Sequence, residues 1–210
     1  MSFARYAWLP LLLAGMTTAA AGSLEIRITT PEGRPVEDFA VVLETSAALS
    51  TRKAKATILQ QDREFNPYLT VVQTGTAVEF PNLDSFKHHV YSFSQPKIFE
   101  IKLYAGKPAK PVVFDKPGIV ALGCNVHDWM VAYVLVVDTP YFAKTGADGK
   151  ARIANLPPGT YKLKLWHSRL TPDLAPRELQ LGKDPMRLSL QAAVPPKPPH
   201  TKPPLDQLGY

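Results

Sequence analysis

Apolar and polar residues alternate from the first ordered-looking stretch of this chain. Leu24, Ile26 and Ile28 fall on one side and Glu25, Arg27 and Thr29 on the other, a half-buried strand. Pro31-Glu32-Gly33-Arg34-Pro35 reads as a turn, and Ala40-Val41-Val42-Leu43-Glu44 as a second strand. A largely polar link follows from Thr45 to Lys55, including the basic run Arg52-Lys53-Ala54-Lys55. From Ala56 the pattern becomes a series of short β-branched and aromatic segments: 56–61, 68–72, 77–80, 89–93, 98–101, 111–114, 119–122 and 130–137. Gly, Pro, Asn and Asp separate them and no helical period is present, so this part predicts a sandwich. Lys102 to Lys110 reads as a loop. Beyond it, Phe142–Thr145 and Ala151–Ala154 flank an Asp148-Gly149 turn, and Leu156-Pro157-Pro158-Gly159 leads into the alternating strand Tyr161–Trp166.

The two ends differ from the middle. A positive start at Arg5, a short apolar run and the small residues Ala19-Ala20-Ala21 describe a secretory signal peptide over 1–21, predicting export to the periplasm. A retained anchor is the competing reading. No later run is apolar for long enough to span a bilayer. At the other end, Pro195-Pro196, Pro198-Pro199 and Pro203-Pro204 make 194–210 a solvated polyproline tail, with His200 in it. The formal net charge of +6 has two readings, steering toward an acidic partner or ordinary solvated lysine. Without a basic helix or an aromatic-basic motif, nucleic acid is not an expected partner.

The candidate chemistry lies in Gly123-Cys124-Asn125-Val126-His127-Asp128-Trp129-Met130, which holds the only cysteine. Thiolate, imidazole and thioether are the soft and borderline ligands that suit copper, which favours a Cys/His/His trigonal site with a weak axial Met. Upstream, Phe86-Lys87-His88-His89-Val90-Tyr91-Ser92-Phe93 offers the missing imidazole, from His88 or His89. One mononuclear ion between the two segments is the expectation. The plainer alternative makes Cys124 a small core residue and His127 an exposed turn residue. A lone thiol outside the cytoplasm is open to oxidation unless buried or coordinated, and its His and Met neighbours favour coordination. No general acid–base pair accompanies these residues, and Ser92 and Ser94 have no activating partner nearby in sequence, so no enzyme activity is expected.

With Phe80-Pro81-Asn82 ahead of His88, and Cys124-x2-His127-x2-Met130 behind it, the stretch Ala56 to Val137 resembles the cupredoxins. The short Cys-to-Met loop is similar to amicyanin's. "HHVYSFS" and "GCNVHDWM" resemble the exported plastocyanin-like proteins labelled "methylamine utilisation". The resemblance implies a Greek-key sandwich holding one type 1 copper ion. It places Cys124, His88 and His127 as equatorial ligands and Met130 as the axial one, with one histidine edge near the surface. His89 stands where the family has an Asn that ties the ligand loops together; it would make that tie or replace His88 as ligand. The chain departs from the family at Leu122-Gly123, where many members carry an aromatic ring, so a more open sulfur is expected. Asp128 reads as a docking residue or a solvated turn, and Trp129 as contact patch or packing. The implied role is a monomeric electron-transfer carrier working with a dehydrogenase or a cytochrome. Copper delivery or storage, and a structural or ligand-binding β-sandwich, are the alternatives.

"LPPGTYKLKL" resembles the small transthyretin-like sandwich of the carboxypeptidase-regulatory type, whose missing half matches "EGRPVEDFAVVL". The expected architecture is therefore all-β: a cupredoxin-like sandwich over 56–138 inserted into a regulatory-like sandwich built from 22–48 and 139–193. Two consecutive domains are the alternative.

Overall fold

The structure, a computed structural model, describes residues 21–47, 54–108 and 110–197. The expected signal peptide up to residue 20, the Arg52-Lys53 pair and the tail beyond residue 197 with His200 lie outside the described residues. The described chain is all-β and forms two sandwiches.

Both N-terminal strands are hydrogen-bonded to the C-terminal third. Gly22–Thr29 lies between Lys150–Leu156, antiparallel to it, and Pro185–Gln191, parallel to it. Ala40–Glu44 sits between Phe142–Lys144 and Gly159–Trp166, and Arg177–Leu181 completes that sheet. The alternating residues Leu24, Ile26 and Ile28 meet Phe39, Val41, Leu43, Ile153, Leu163 and Leu179 in one core. Gly149 makes the Asp148-Gly149 turn possible. Its φ is 72°, and a Cβ there would stand 2.5 Å from the Ile28 carbonyl oxygen. Val194 is buried in the same core, so the solvated proline stretch starts one residue later than the sequence pattern suggests.

The chain between these halves folds as a second sandwich. A five-stranded sheet runs Leu69–Gln73, Val131–Val137, Gly118–Gly123, His88–Ser92, Phe99–Tyr104, and faces the three strands Val112–Phe114, Thr76–Glu79 and Lys55–Thr57. Phe80, Val90, Phe114, Val120, Leu122, Ala132 and Val134 fill the space between them. The edge strand continues through Tyr104, so the segment read as loop from Lys102 starts later. Cross-strand hydrogen bonds outweigh its exposed Lys102 and Leu103. A short hairpin, Leu59–Gln61 with Glu64–Asn66, lies beside the loop that carries Asp84. Its turn residues Asp62 and Arg63 both have positive φ, 54° and 58°.

An apolar seam joins the sandwiches. Ala40 and Val42 pack with Leu69, Leu135 and Val137, Tyr133 meets Trp166 edge-on at 5.4 Å, and Tyr68 Oη lies 2.9 Å from Ser168 Oγ. No helix among the described residues is long and apolar enough to cross a membrane.

Candidate metal centre

Strand alternation decides which histidine enters the core. His88, Val90 and Ser92 are fully buried and face the interior of the inner sandwich, while His89, Tyr91 and Phe93 take the opposite side. Cys124 follows directly on Gly118–Gly123, whose last residue pairs with Tyr91, so the thiol arrives beside His88. The loop then turns tightly, the Met130 N–H donating to the His127 carbonyl at 2.9 Å.

The three donors form a near-triangle. Cys124 Sγ lies 3.9 Å from His88 Nδ1 and 3.9 Å from His127 Nδ1, and all three donor atoms fall within 4.8 Å of one another. A metal bound at ~2.3 Å from sulfur and ~2.0 Å from nitrogen sets donor atoms roughly 3.7 Å apart at trigonal angles. The two sulfur sides need shifts of only a few tenths of an ångström to match. Met130 is buried in the same cluster as Cys124. Soft sulfur, two imidazoles and a neighbouring thioether fit copper.

Protonation favours the same use. Burial, then the neighbouring His88 and Arg63, push the His127 pKa down to about 4, leaving the ring uncharged at neutral pH, as a metal ligand must be. His88 is fixed from its far side: its Nε2–H donates to Asp84 Oδ2 at 2.7 Å, which turns Nδ1 toward the sulfur. Burial raises the Asp84 pKa, but hydrogen bonds from His88 and from the Arg63 and Asp62 amides outweigh it and hold the carboxyl below its ordinary value. Those amides donate at 3.0 and 2.8 Å. Asn82 shapes the loop between, accepting from the Asp84 N–H at 2.9 Å and donating to the Phe86 and Tyr104 carbonyls. Behind it Tyr104 Oη donates to the Phe80 carbonyl and is itself bonded by Gln60, with burial pushing its pKa up to about 12.

His89 joins neither the donor set nor the other loop. Its Nε2 bonds Glu100 Oε1 at 2.9 Å on the outer face. Two expectations drawn from the family need correcting. The sulfur is not more open, since Cys124 is 3 % exposed. Tyr91 occupies the space over Gly123, where a Cβ would stand 2.7 Å from its ring. Neither His88 nor His127 has an edge at the surface: both are fully buried, and the His127 ring lies 5.1 Å from Trp129 and 5.8 Å from Phe86. Trp129 is half-buried, its Nε1–H donating to the Arg63 carbonyl at 3.1 Å, whereas Asp128 is exposed. Sequence reasoning missed Asp84; the only available signal was a carboxylate four residues ahead of His88.

No family model and no curated protein matches this chain. Among solved structures it is similar to a copper-containing nitrite reductase from Thermus scotoductus SA-01, at 22% identity and a TM-score of 0.38, over 54% of this chain and 28% of the reductase. A purple cupredoxin from Nitrosopumilus maritimus aligns at 23% identity and 0.35, over 39% of this chain and 99% of its own. A single-residue mutant of amicyanin, in its reduced Cu(I) form, aligns at 14% identity and 0.37, over 46% of this chain and 98% of its own.

Proposed function

We infer that this protein is an exported mononuclear copper protein of the cupredoxin type, carrying single electrons between partner proteins. The observation that carries this reading is the buried Cys124–His88–His127 triangle, 3.9 Å on its two sulfur sides. In it Cys124, His88 and His127 would hold the ion, and the thioether of Met130, buried in the same cluster, would be the fourth donor. Bound copper supplies one-electron exchange between its two oxidation states.

The chain's own part is to keep one geometry through that exchange. Cys124 and His127 share a single tight loop, and Asp84 fixes the ring of His88. Burial excludes water from the donors, which keeps substrate chemistry away from the ion and supports a carrier without enzyme activity. The exposed Leu83 and Val126, on the two ligand-bearing loops, suit a docked redox partner such as a dehydrogenase or a cytochrome.

Voltammetry tests the role. Copper-loaded protein is expected to give a reversible one-electron wave that Cys124→Ser abolishes. Tight Cu(I) binding with no wave, and ready transfer of the ion to a chelator, would replace the carrier reading with copper delivery.

A further inference from the structure

The two segments that carry the donors meet the same two-residue turn. The hairpin Leu59–Asn66 places Asp62 and Arg63 beside the metal centre, both in left-handed backbone conformation. Such a turn suits a tight hairpin and accepts Asp at its first position, but its second is usually Gly, where this chain has Arg63. Left-handed backbone at ordinary side chains persists where surrounding contacts over-determine it. Here those contacts lead to the site. The Asp62 and Arg63 N–H groups donate to the two oxygens of Asp84, at 2.8 and 3.0 Å. Asp84 in turn accepts from His88 at 2.7 Å. On the other side, the Arg63 carbonyl accepts from the Trp129 indole at 3.1 Å, and the Arg63 guanidinium lies 5.9 Å from the centre of that ring. Trp129 stands two residues after His127 and one before Met130, with its ring against His127.

We propose that the Asp62–Arg63 turn is the clasp of this site, holding both donor-bearing segments in register before any ion binds, with Asp84 and Trp129 as its positioning residues. The proposal rests on the copper reading for its consequence and on the hydrogen bonds of Asp84 and Trp129 for its geometry. Asp84 suits the task because an ionised carboxylate accepts all three bonds and donates none. An amide in its place has one acceptor oxygen for three donors. Trp129 supplies an N–H that reaches past the rings to a backbone oxygen. Both residues act through donors and acceptors of one rigid element, so their effects are coupled.

The test uses the full chain with Asp84→Asn, Trp129→Phe and the pair combined. In the metal-free protein, ¹⁵N shifts are expected to show His88 protonated at Nε2, with Nδ1 protonation appearing in Asp84→Asn. Copper affinity is expected to fall by about 10–100-fold in Asp84→Asn, the usual loss when a partner behind a ligand is removed. It should fall less in Trp129→Phe, and in the pair by less than the product of the two losses. An unchanged His88 tautomer together with unchanged affinity, or losses that simply multiply, would overturn the clasp. If Asp84→Asn does not fold, Trp129→Phe decides, and wild-type copper affinity in it overturns the proposal. Should the wild-type protein bind no copper, the copper reading fails, while the His88 tautomer still decides whether the clasp exists.

Discussion

The phenol ring of Tyr91 lies where a side chain on Gly123 would begin, 2.7 Å from the position of a Cβ. The residue before Cys124 is thus small because a ring from the neighbouring strand covers it, and the sulfur stays buried. Gly123→Ala should push that ring aside and cost about 1 kcal/mol, at the low end for overpacking because Tyr91 is only half-buried. In a Tyr91→Ala background the same change should cost little. Denaturant midpoints of the two single variants and the pair read the coupling.

The two adjacent histidines should behave as opposites. His88→Ala is expected to remove tight copper binding, since it takes one corner of the donor triangle. His89→Ala is expected to retain it, losing the outward bond to Glu100 and the ring contact with Tyr91. Copper titrations of both variants, followed by calorimetry, distinguish them.

Acid should weaken the metal-free fold. His127 has a folded pKa of about 4 against an ordinary 6.5, and burial lowers His167 as well. A depressed folded pKa means that the unfolded chain takes up the proton first as pH falls. The stability this confers is fully present above pH 6.5 and is lost on acidifying toward pH 4. Melting temperatures across that window should drop, and His127→Asn should flatten part of the slope. A variant slope equal to that of the wild type would contradict the burial of His127.

Phe39 tests the union of the two chain ends. It is fully buried among residues from both the N-terminal strands and the C-terminal third, 5.3 Å from the ring of His167. Phe39→Ala should cost ~3–5 kcal/mol. Chemical denaturation should show that loss in the signal of Trp166, a residue far along the chain.

The parts of this fold visible in the sequence are those set by local pattern. Leu24, Ile26 and Ile28 alternate as they pack, and Cys124, His127 and Met130 share one loop, so their spacing alone marks them out. His88 and His89 are harder to separate because the outward face carries Tyr91 and Phe93, which makes both faces of that strand look apolar. The hairpin at Asp62–Arg63 has Arg where Gly would announce such a turn, so the element contacting both Asp84 and Trp129 gives little local signal. The parallel pairing of Gly22–Thr29 with Pro185–Gln191 depends on residues at opposite ends of the chain, and no short-range pattern encodes it.

The central claim, that Cys124 and two imidazoles hold one copper ion, is tested most directly by absorption and EPR spectra of protein loaded with one equivalent of Cu(II). An intense thiolate-to-copper band with narrow copper hyperfine splitting, both lost in Cys124→Ser, is the predicted result. Bound Cu(II) with no such band, or spectra identical in wild type and Cys124→Ser, would contradict it.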